Sequence, residues 1–146
     1  MIAEAEKHLA VREATGNNDG YWVERFLAST GLGKGYAWCA AFQCYIHKET
    51  ELNTPKSARV VDWFKTPEWE RKNNSYQPKA LPGMVGALYY PQLKRYGHIL
   101  LIVGQDKNNY YTIEGNTNGA GSREGDGVYK KIRSKSSISA LADYCK

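Results

Sequence analysis

Apolar and polar residues recur with a helical period through the first half of the chain. Segment 2–14 (IAEAEKHLAVREA) places apolar residues on one face and predicts an amphipathic opening helix. Segment 21–30 (YWVERFLAST) predicts a second helix, which ends at the glycines of GLGKG. Segment 37–49 (AWCAAFQCYIHKE) is nearly all apolar and predicts a buried helix, and segment 57–64 (SARVVDWF) predicts a fourth. We therefore expect the first half to be helical.

A different pattern begins after the polar, proline-bounded connection at 66–83. Runs rich in β-branched and aromatic residues predict four strands, at 84–90, 97–103, 109–115 and 126–132. The residues QDKN between the second and third runs are few enough for a hairpin. The last segment, SSISALADY at 136–144, predicts a closing helix with a serine cap. Helices followed by antiparallel strands predict an α+β fold.

The length and composition fit one domain. The chain has 146 residues, 42% of them hydrophobic and 24% charged, as in globular proteins that bury one core. No repeat or linker divides it, so we expect a single domain over 1–146. No apolar run approaches the roughly 20 residues of a membrane span, and the charged first residues are unlike a signal peptide.

The net charge of +5 indicates an anionic partner. The basic residues are scattered, and the one dense run, YKKIRSK at 129–135, stands beside no nucleic-acid recognition motif. We interpret this run as a solvated strand and turn. An anionic bacterial cell wall fits the charge, and we expect no nucleic-acid or membrane partner.

The three cysteines do not predict a disulfide framework or a metal site. Their number is odd, and in one helix Cys39 and Cys44 would have Cα atoms about 8 Å apart, too far for a disulfide. No cysteine and histidine cluster has zinc spacing, so we expect no metal and no cofactor. Cys39 lies in the first turn of the buried helix, where free N–H groups and the helix dipole stabilise a thiolate. Cys44 lies inside the helix and is expected in the core.

A nucleophilic cysteine needs a base, and the histidines differ in their reach. His47 lies eight residues farther along the same helix, about 12 Å from Cys39, and cannot contact it. We expect His8 to face solvent on the polar side of the first helix. His98 opens a strand directly after Gly97, where a strand end can meet a helix N-terminus, and it is the remaining candidate.

The hairpin geometry indicates where a third group would lie. If QDKN closes the turn, residues whose numbers sum to about 213 face each other, which brings position 115 opposite His98. Glu114 and Asn116 flank that position. Either one shares a face with His98 only if a one-residue bulge makes the sum even. The pattern alone does not choose between them.

Three motifs in this order resemble the CHAP family, the cysteine, histidine-dependent amidohydrolases and peptidases that cut bacterial peptidoglycan. They are the Trp-Cys-Ala-Ala-Phe block at 38–42, the Gly-His pair at 97–98 and the Glu-Gly-Asn at 114–116. The resemblance covers 3–118. It implies a papain-like fold, in which the nucleophile helix packs on an antiparallel sheet that carries the base.

The resemblance implies a role for each of four residues. Cys39 is the nucleophile and His98 the general base and acid. Glu114 orients His98, and Asn116 is a further polar group near the site. Family members often have an acidic residue after the Pro-Gly that precedes the His strand, whereas this chain has Met84. That departure leaves the four catalytic residues unchanged and concerns the details of the substrate.

Three more residues are candidate substrate contacts. Trp38, beside the nucleophile, would shield the cysteine and histidine from water or fill the core. Asn18, in the turn TGNNDG, would line the cleft or serve only the turn. Tyr96, next to the His strand, would stack on sugar or stem peptide or pack on the sheet.

These expectations lead to a peptidoglycan hydrolase that cuts an amide bond, an amidase or an endopeptidase such as a phage lysin or an antibacterial toxin. The alternatives are an acyltransferase of transglutaminase type and a wall-binding module with a vestigial catalytic set. Because no signal peptide is visible, we expect synthesis in the cytoplasm and action at the cell wall after delivery by lysis, phage or a secretion system. The expected partner is peptidoglycan, and no immunity or delivery protein can be named.

Overall fold

A computed structural model describes residues 1–65, 69–71, 80–121 and 123–145. The helices within these residues are α1 Ile2–Glu6, α2 Tyr21–Ala28 and α3 Cys39–Lys48, with 3₁₀ helices at Val60–Phe64 and Lys135–Ser137. The strands are β1 Trp69–Arg71, β2 Val85–Tyr90, β3 Arg95–Gln105, β4 Asn109–Thr117, β5 Gly127–Ser134 and β6 Ala140–Ala142. Helices precede most of the strands, and the predicted α+β class is confirmed.

The strands form one antiparallel sheet in the order β1-β6-β2-β3-β4-β5. The four predicted strands are confirmed as β2 to β5, and β3 and β4 form the predicted hairpin. The longest helix in the described part of the chain, α3, has ten residues. No helix there has the length and hydropathy that crossing a bilayer requires.

A bulge interrupts the β3–β4 hairpin. Gln105 pairs with Tyr110 beside the turn, and Leu101 pairs with Ile113 farther along, so the register shifts by one residue between them. This is the one-residue bulge that the hairpin prediction requires if a polar side chain of β4 is to share a face with His98.

Helices α2 and α3 pack on one face of the sheet. Phe26 of α2, Phe42 of α3 and Ile113 of β4 are fully buried in the same cluster, and each such side chain contributes about 2 kcal/mol by burial. Gly115 permits the close approach, because a Cβ there would lie 2.8 Å from Phe42 Cβ and 2.9 Å from Trp38 Cζ3. The start of α3 is therefore pressed directly against β4.

The predicted opening helix is wrong beyond its first turn. α1 ends at Glu6 rather than continuing through segment 2–14. The chain then turns and becomes extended, and Arg12 forms an antiparallel bridge with Gly127 at the start of β5. Backbone pairing with the sheet thus outweighs the local helical pattern.

The expected exposure of His8 is wrong as well. Its ring is buried, with ring-centroid distances of 4.6 Å to Trp22, 5.2 Å to Phe26 and 5.5 Å to Tyr45. Burial lowers the pKa of His8, so the imidazole packs among the aromatic rings of the helices as a neutral group.

The predicted closing helix at 136–144 is also wrong. Only the 3₁₀ turn at Lys135–Ser137 forms, and Ala140–Ala142 is strand β6, which lies between β1 and β2. All three residues of β6 are buried, so sheet pairing overrides their helix propensity. The fourth predicted helix is a 3₁₀ helix, and the predicted connection at 66–83 contains β1 and lies largely outside the described residues.

Candidate active site

Cys39 is the first residue of α3, at a helix end that is tied to the sheet and to the N-terminal segment. The backbone N–H of Trp38 donates to Asn116 Oδ1 at 2.8 Å, and the indole Nε1 of Trp38 donates to Glu13 Oε1 at 2.8 Å. The side chain of Cys39 is nearly buried, with 4% of the residue exposed. The first N–H groups of a helix have no acceptor within it, so this end presents partial positive charge to the sulfur.

Asn116 fastens the surrounding segments and does not contact the imidazole of His98. Besides accepting from Trp38, it donates through Nδ2 to the Gly125 carbonyl at 2.9 Å and to Asn18 Oδ1 at 3.5 Å. Its φ of +56° lies in the left-handed region, which asparagine tolerates better than most residues. Asn116 is therefore a polar anchor for the start of α3.

The imidazole of His98 is fully buried, and its two nitrogens have different surroundings. Nε2 lies 2.8 Å from Glu114 Oε2, whereas Nδ1 has no hydrogen-bond partner among the described residues. Burial lowers the pKa of His98, but the nearby Cys39 and Glu114 side chains outweigh burial and raise the pKa to about 9. The ring therefore carries a positive charge at neutral pH.

Of the two polar residues between which the hairpin pattern did not choose, Glu114 is the one that lies within hydrogen-bond distance of His98. Its buried carboxylate accepts hydrogen bonds from His98 Nε2, from Thr112 Oγ1 at 2.6 Å, and from Arg133 Nε at 2.8 Å and Nη2 at 2.5 Å. Burial raises the pKa of Glu114, but the donors of Arg133 and His98 outweigh burial and lower the pKa to about 2. The carboxylate is thus charged and held on both oxygens.

Arg133 is a site residue that the sequence interpretation missed. It lies in the run 129–135, which we expected to be solvated, yet its side chain is only 15% exposed. The β4–β5 register pairs Tyr110 with Arg133, which puts Arg133 on the face of Thr112 and Glu114. The alternation of side chains along the run 129–135 indicates that Arg133 faces the site only once β4 is known to be the neighbouring strand.

Cys39 lines a cleft of about 290 Å³. Tyr96, one of the predicted substrate contacts, lines the same cleft, and its ring centroid lies 5.5 Å from that of Phe64. Apolar side chains form much of the wall, and three arginines also line it, namely Arg59, Arg95 and Arg123. The cleft leads to Cys39, whereas His98 is fully buried and is not among the residues that line it.

The other two predicted substrate contacts lie elsewhere. Trp38 is fully buried and stacks on Phe26 at a centroid distance of 5.7 Å, so of its two predicted roles the structure supports the core and offers no surface to a substrate. Asn18 donates its N–H to Glu13 Oε2 at 3.1 Å and accepts from the Gly35 N–H at 2.9 Å. Asn18 therefore joins two loops and does not line the cleft.

The remaining cysteine and histidine of α3 belong to the core. Cys44 is buried, with Sγ 3.6 Å from the Ser29 carbonyl, as predicted. His47 is buried, with Nδ1 2.7 Å from the Gln43 carbonyl, and burial lowers its pKa to about 4. Within the described ranges, no group of three or more His, Cys, Asp or Glu side chains is arranged to hold a metal ion.

Comparison with known proteins identifies similarity of fold. No protein-family model and no curated protein matches the chain. A crystal structure of Ly7917 aligns with a TM-score of 0.51 at 12% identity, and one of Ly7917 with the hydrolyzing product of MDP aligns with a TM-score of 0.50 at 13% identity. The alignments cover 99% of this chain but only 62% and 63% of those chains, so this chain spans less than two thirds of Ly7917.

Proposed function

We propose that the protein is a papain-like cysteine amidohydrolase, related to the CHAP enzymes, that cuts an amide bond in bacterial peptidoglycan. The observation that carries the proposal is the buried His98 imidazole, which Glu114 holds at Nε2 and which lies next to Cys39 at the start of α3. This is the arrangement of nucleophile, base and orienting acid found in triads. The similar fold of Ly7917, which has a crystal structure with the hydrolyzing product of MDP, supports a hydrolytic function.

The first chemical step follows from the charge of His98. The imidazole is protonated at neutral pH, and in the proposed mechanism Cys39 reacts as a thiolate beside this imidazolium. The thiolate attacks the amide carbonyl carbon and forms a tetrahedral intermediate. His98 gives its proton to the departing amine, the C–N bond breaks, and a thioester on Cys39 remains.

The second step returns the site to its starting state. The now neutral His98 takes a proton from water, the resulting hydroxide attacks the thioester, and the Cys39 thiolate leaves as the carboxylic acid product forms. In both steps we assign stabilisation of the negative oxygen to the backbone N–H of Cys39, and such a donor is typically worth about 3 kcal/mol of transition-state stabilisation.

The network behind His98 fixes the ring during both proton transfers. Glu114 holds Nε2, which leaves Nδ1 as the nitrogen that serves Cys39, the amine and water. Arg133 and Thr112 hold the carboxylate in turn. Since the carboxylate stays charged, it stabilises the imidazolium without taking a proton itself.

Mass spectrometry of the products released from purified peptidoglycan of several chemotypes tests this proposal. Wild type should release stem peptides with a free N-terminal alanine if it is an amidase, or fragments cut within the stem or bridge if it is an endopeptidase. Cys39→Ala should lose release by a factor on the order of 10⁵, because the nucleophile is gone. Cys44→Ala, a change of the other cysteine of the same helix, is the control for folding and should retain activity.

Two outcomes would contradict the proposal. Equal release by wild type and Cys39→Ala would remove Cys39 from the mechanism. No release from any wall, with product formed only when an amine acceptor is added, would identify acyl transfer instead of hydrolysis.

A further inference from the structure

Arginines are the charged residues of the cleft beside Cys39. Arg59, just before a 3₁₀ helix, Arg95, at the start of β3, and Arg123, in the segment between β4 and β5, all line it. No aspartate or glutamate is among the described lining residues. Three elements distant in sequence thus bring positive charge to one opening, and the partner that complements it is an anion.

Two of these charges are not neutralised by the protein. Arg123 Nη2 lies 2.9 Å from Glu124 Oε1, so its charge is partly balanced. Arg59 and Arg95 are exposed and form no ion pair or side-chain hydrogen bond with any residue in the described part of the chain. An arginine that supports the fold usually has such partners, as Arg133 does with Glu114.

The position of the two free arginines constrains what they bind. They lie on the walls of the cleft that gives access to Cys39, so an anionic group held there belongs to the molecule whose amide is being cut. A guanidinium binds a carboxylate through two parallel hydrogen bonds. The rest of the lining is mostly apolar, including Val60 and Val61, so the arginines are the groups in the cleft that can bind an anion.

We propose that the cleft selects substrates with free carboxylates next to the scissile amide, and that Arg59 and Arg95 are the residues that bind them. The inference rests on the proposed function, because it concerns the substrate specificity of the cleft that leads to the proposed nucleophile, Cys39. The ligand that we assign to the two arginines is an acidic peptide segment of the cell wall. An amidated segment of the same sequence has lost the negative charge and is the poorer substrate.

A pair of alkylating reagents tests the cleft without any wall substrate. Iodoacetate and iodoacetamide both alkylate the Cys39 thiolate with loss of iodide, but only iodoacetate carries a carboxylate. The ratio of their rate constants at Cys39 therefore measures carboxylate attraction, because any change in thiol reactivity cancels. We expect Arg59→Gln and Arg95→Gln each to lower this ratio by about threefold, the scale for one nearby charge in a hydrated cleft.

Lys107→Gln is the matched control for the loss of one charge. Lys107 is exposed in the turn after β3, roughly 20 Å along the strand from His98. That separation exceeds the Debye length of about 8 Å at physiological salt, so this variant should leave the ratio unchanged. An unchanged ratio in both arginine variants overturns the inference.

A second measurement uses matched wall fragments that differ only in amidation of the carboxylates flanking the cut. Wild type should have a several-fold higher kcat/KM for the acid form, and the preference should fall in the double variant Arg59→Gln/Arg95→Gln. Equal rates on both forms, with wall cleavage intact, overturn the carboxylate preference and leave the proposed function standing. A reagent ratio that responds to the arginines, with no cleavage of any wall, supports the acidic ligand and overturns the proposed function.

Discussion

The two sides of His98 differ in how completely their polar groups are paired. On the Glu114 side, one buried carboxylate accepts four hydrogen bonds, and nothing is left for a ligand to satisfy. On the cleft side, Nδ1 of His98 has no hydrogen-bond partner among the described residues, and Arg59 and Arg95 have no counter-ion there. The paired side fixes the position of His98, and in the proposed function the unpaired side is where a substrate completes the interactions.

The largest effect on the paired side is expected from Glu114→Gln. The amide keeps the shape but loses the charge that stabilises the imidazolium, so kcat should fall by roughly 10²-fold to 10⁴-fold. The pKa of His98 should fall as well, which moves the basic limb of the pH–rate profile to lower pH. Glu49→Gln, the same change on an exposed residue at the end of α3, is the control. A wild-type profile in Glu114→Gln would show that the carboxylate does not act on His98.

Arg133→Met is expected to have the next largest effect, as a change to a positioning residue. It leaves the buried Glu114 carboxylate with fewer donors, which should cost about 3 kcal/mol of stability and lower kcat by about 10-fold to 100-fold through misplacement of His98. Arg133→Lys keeps the charge without the two-pronged geometry and should recover part of the loss. The pH–rate profile distinguishes a positioning role of Arg133 from a purely structural one. If the role is purely structural, Arg133→Met changes stability and leaves both limbs of the profile in place.

The pH dependence of the wild type follows from the raised pKa of His98. Activity should fall about tenfold per pH unit above about 9, since the imidazolium that donates to the leaving amine is lost there. Because this pKa lies above its ordinary value of 6.5, the stabilisation is fully present below pH 6.5 and is lost as pH rises through about 9. Chemical denaturation between pH 6 and 10 measures it. A constant free energy of unfolding over this range, with Glu114→Gln as reference, would contradict the assigned charge.

The smallest effect on activity is expected from loosening the anchor of α3, where the change is mainly one of stability. Asn116→Ala removes the acceptor of the Trp38 N–H and puts alanine at a φ of +56°, which together should cost about 2 to 4 kcal/mol. Asn116→Gly removes the same side chain but tolerates that φ, so it should be the more stable variant. The difference in thermal stability between Asn116→Ala and Asn116→Gly measures the cost of the positive φ at this position. Equal stability would mean that φ at this position is not strained.

Local patterns correctly predicted that Cys39 lies at the start of a buried helix and that His98 lies on a strand of the sheet. The start of α3 at Cys39 follows from the glycine-rich turn before an apolar helix, and the need for a bulge follows from strand alternation around His98. Both features depend on residues that are close in sequence or lie within one hairpin. They are therefore readable without the rest of the fold.

Other features depend on contacts between distant segments. Arg133 joins the site only because β5 pairs with β4 in one register, and Asn116 acts on Trp38 across the two halves of the chain. Segment 136–144 has helical composition but becomes β6 because an open sheet position exists between β1 and β2. In each case a tertiary partner outweighs a local preference, and no local pattern contains that partner.

The most direct test of the central claim is alkylation of the native protein at pH 6 with iodoacetamide, followed by peptide mapping of the three cysteines. We expect Cys39 to be labelled well ahead of the others, because a neighbouring imidazolium and a helix N-terminus are the surroundings that activate a cysteine. Cys145 is exposed, but partial burial of its thiol raises its pKa, and Cys44 lies inside α3, away from the free N–H groups of the helix start, so both should react slowly. Equal labelling of all three cysteines, or labelling of Cys39 only after unfolding, would contradict an activated Cys39–His98 pair.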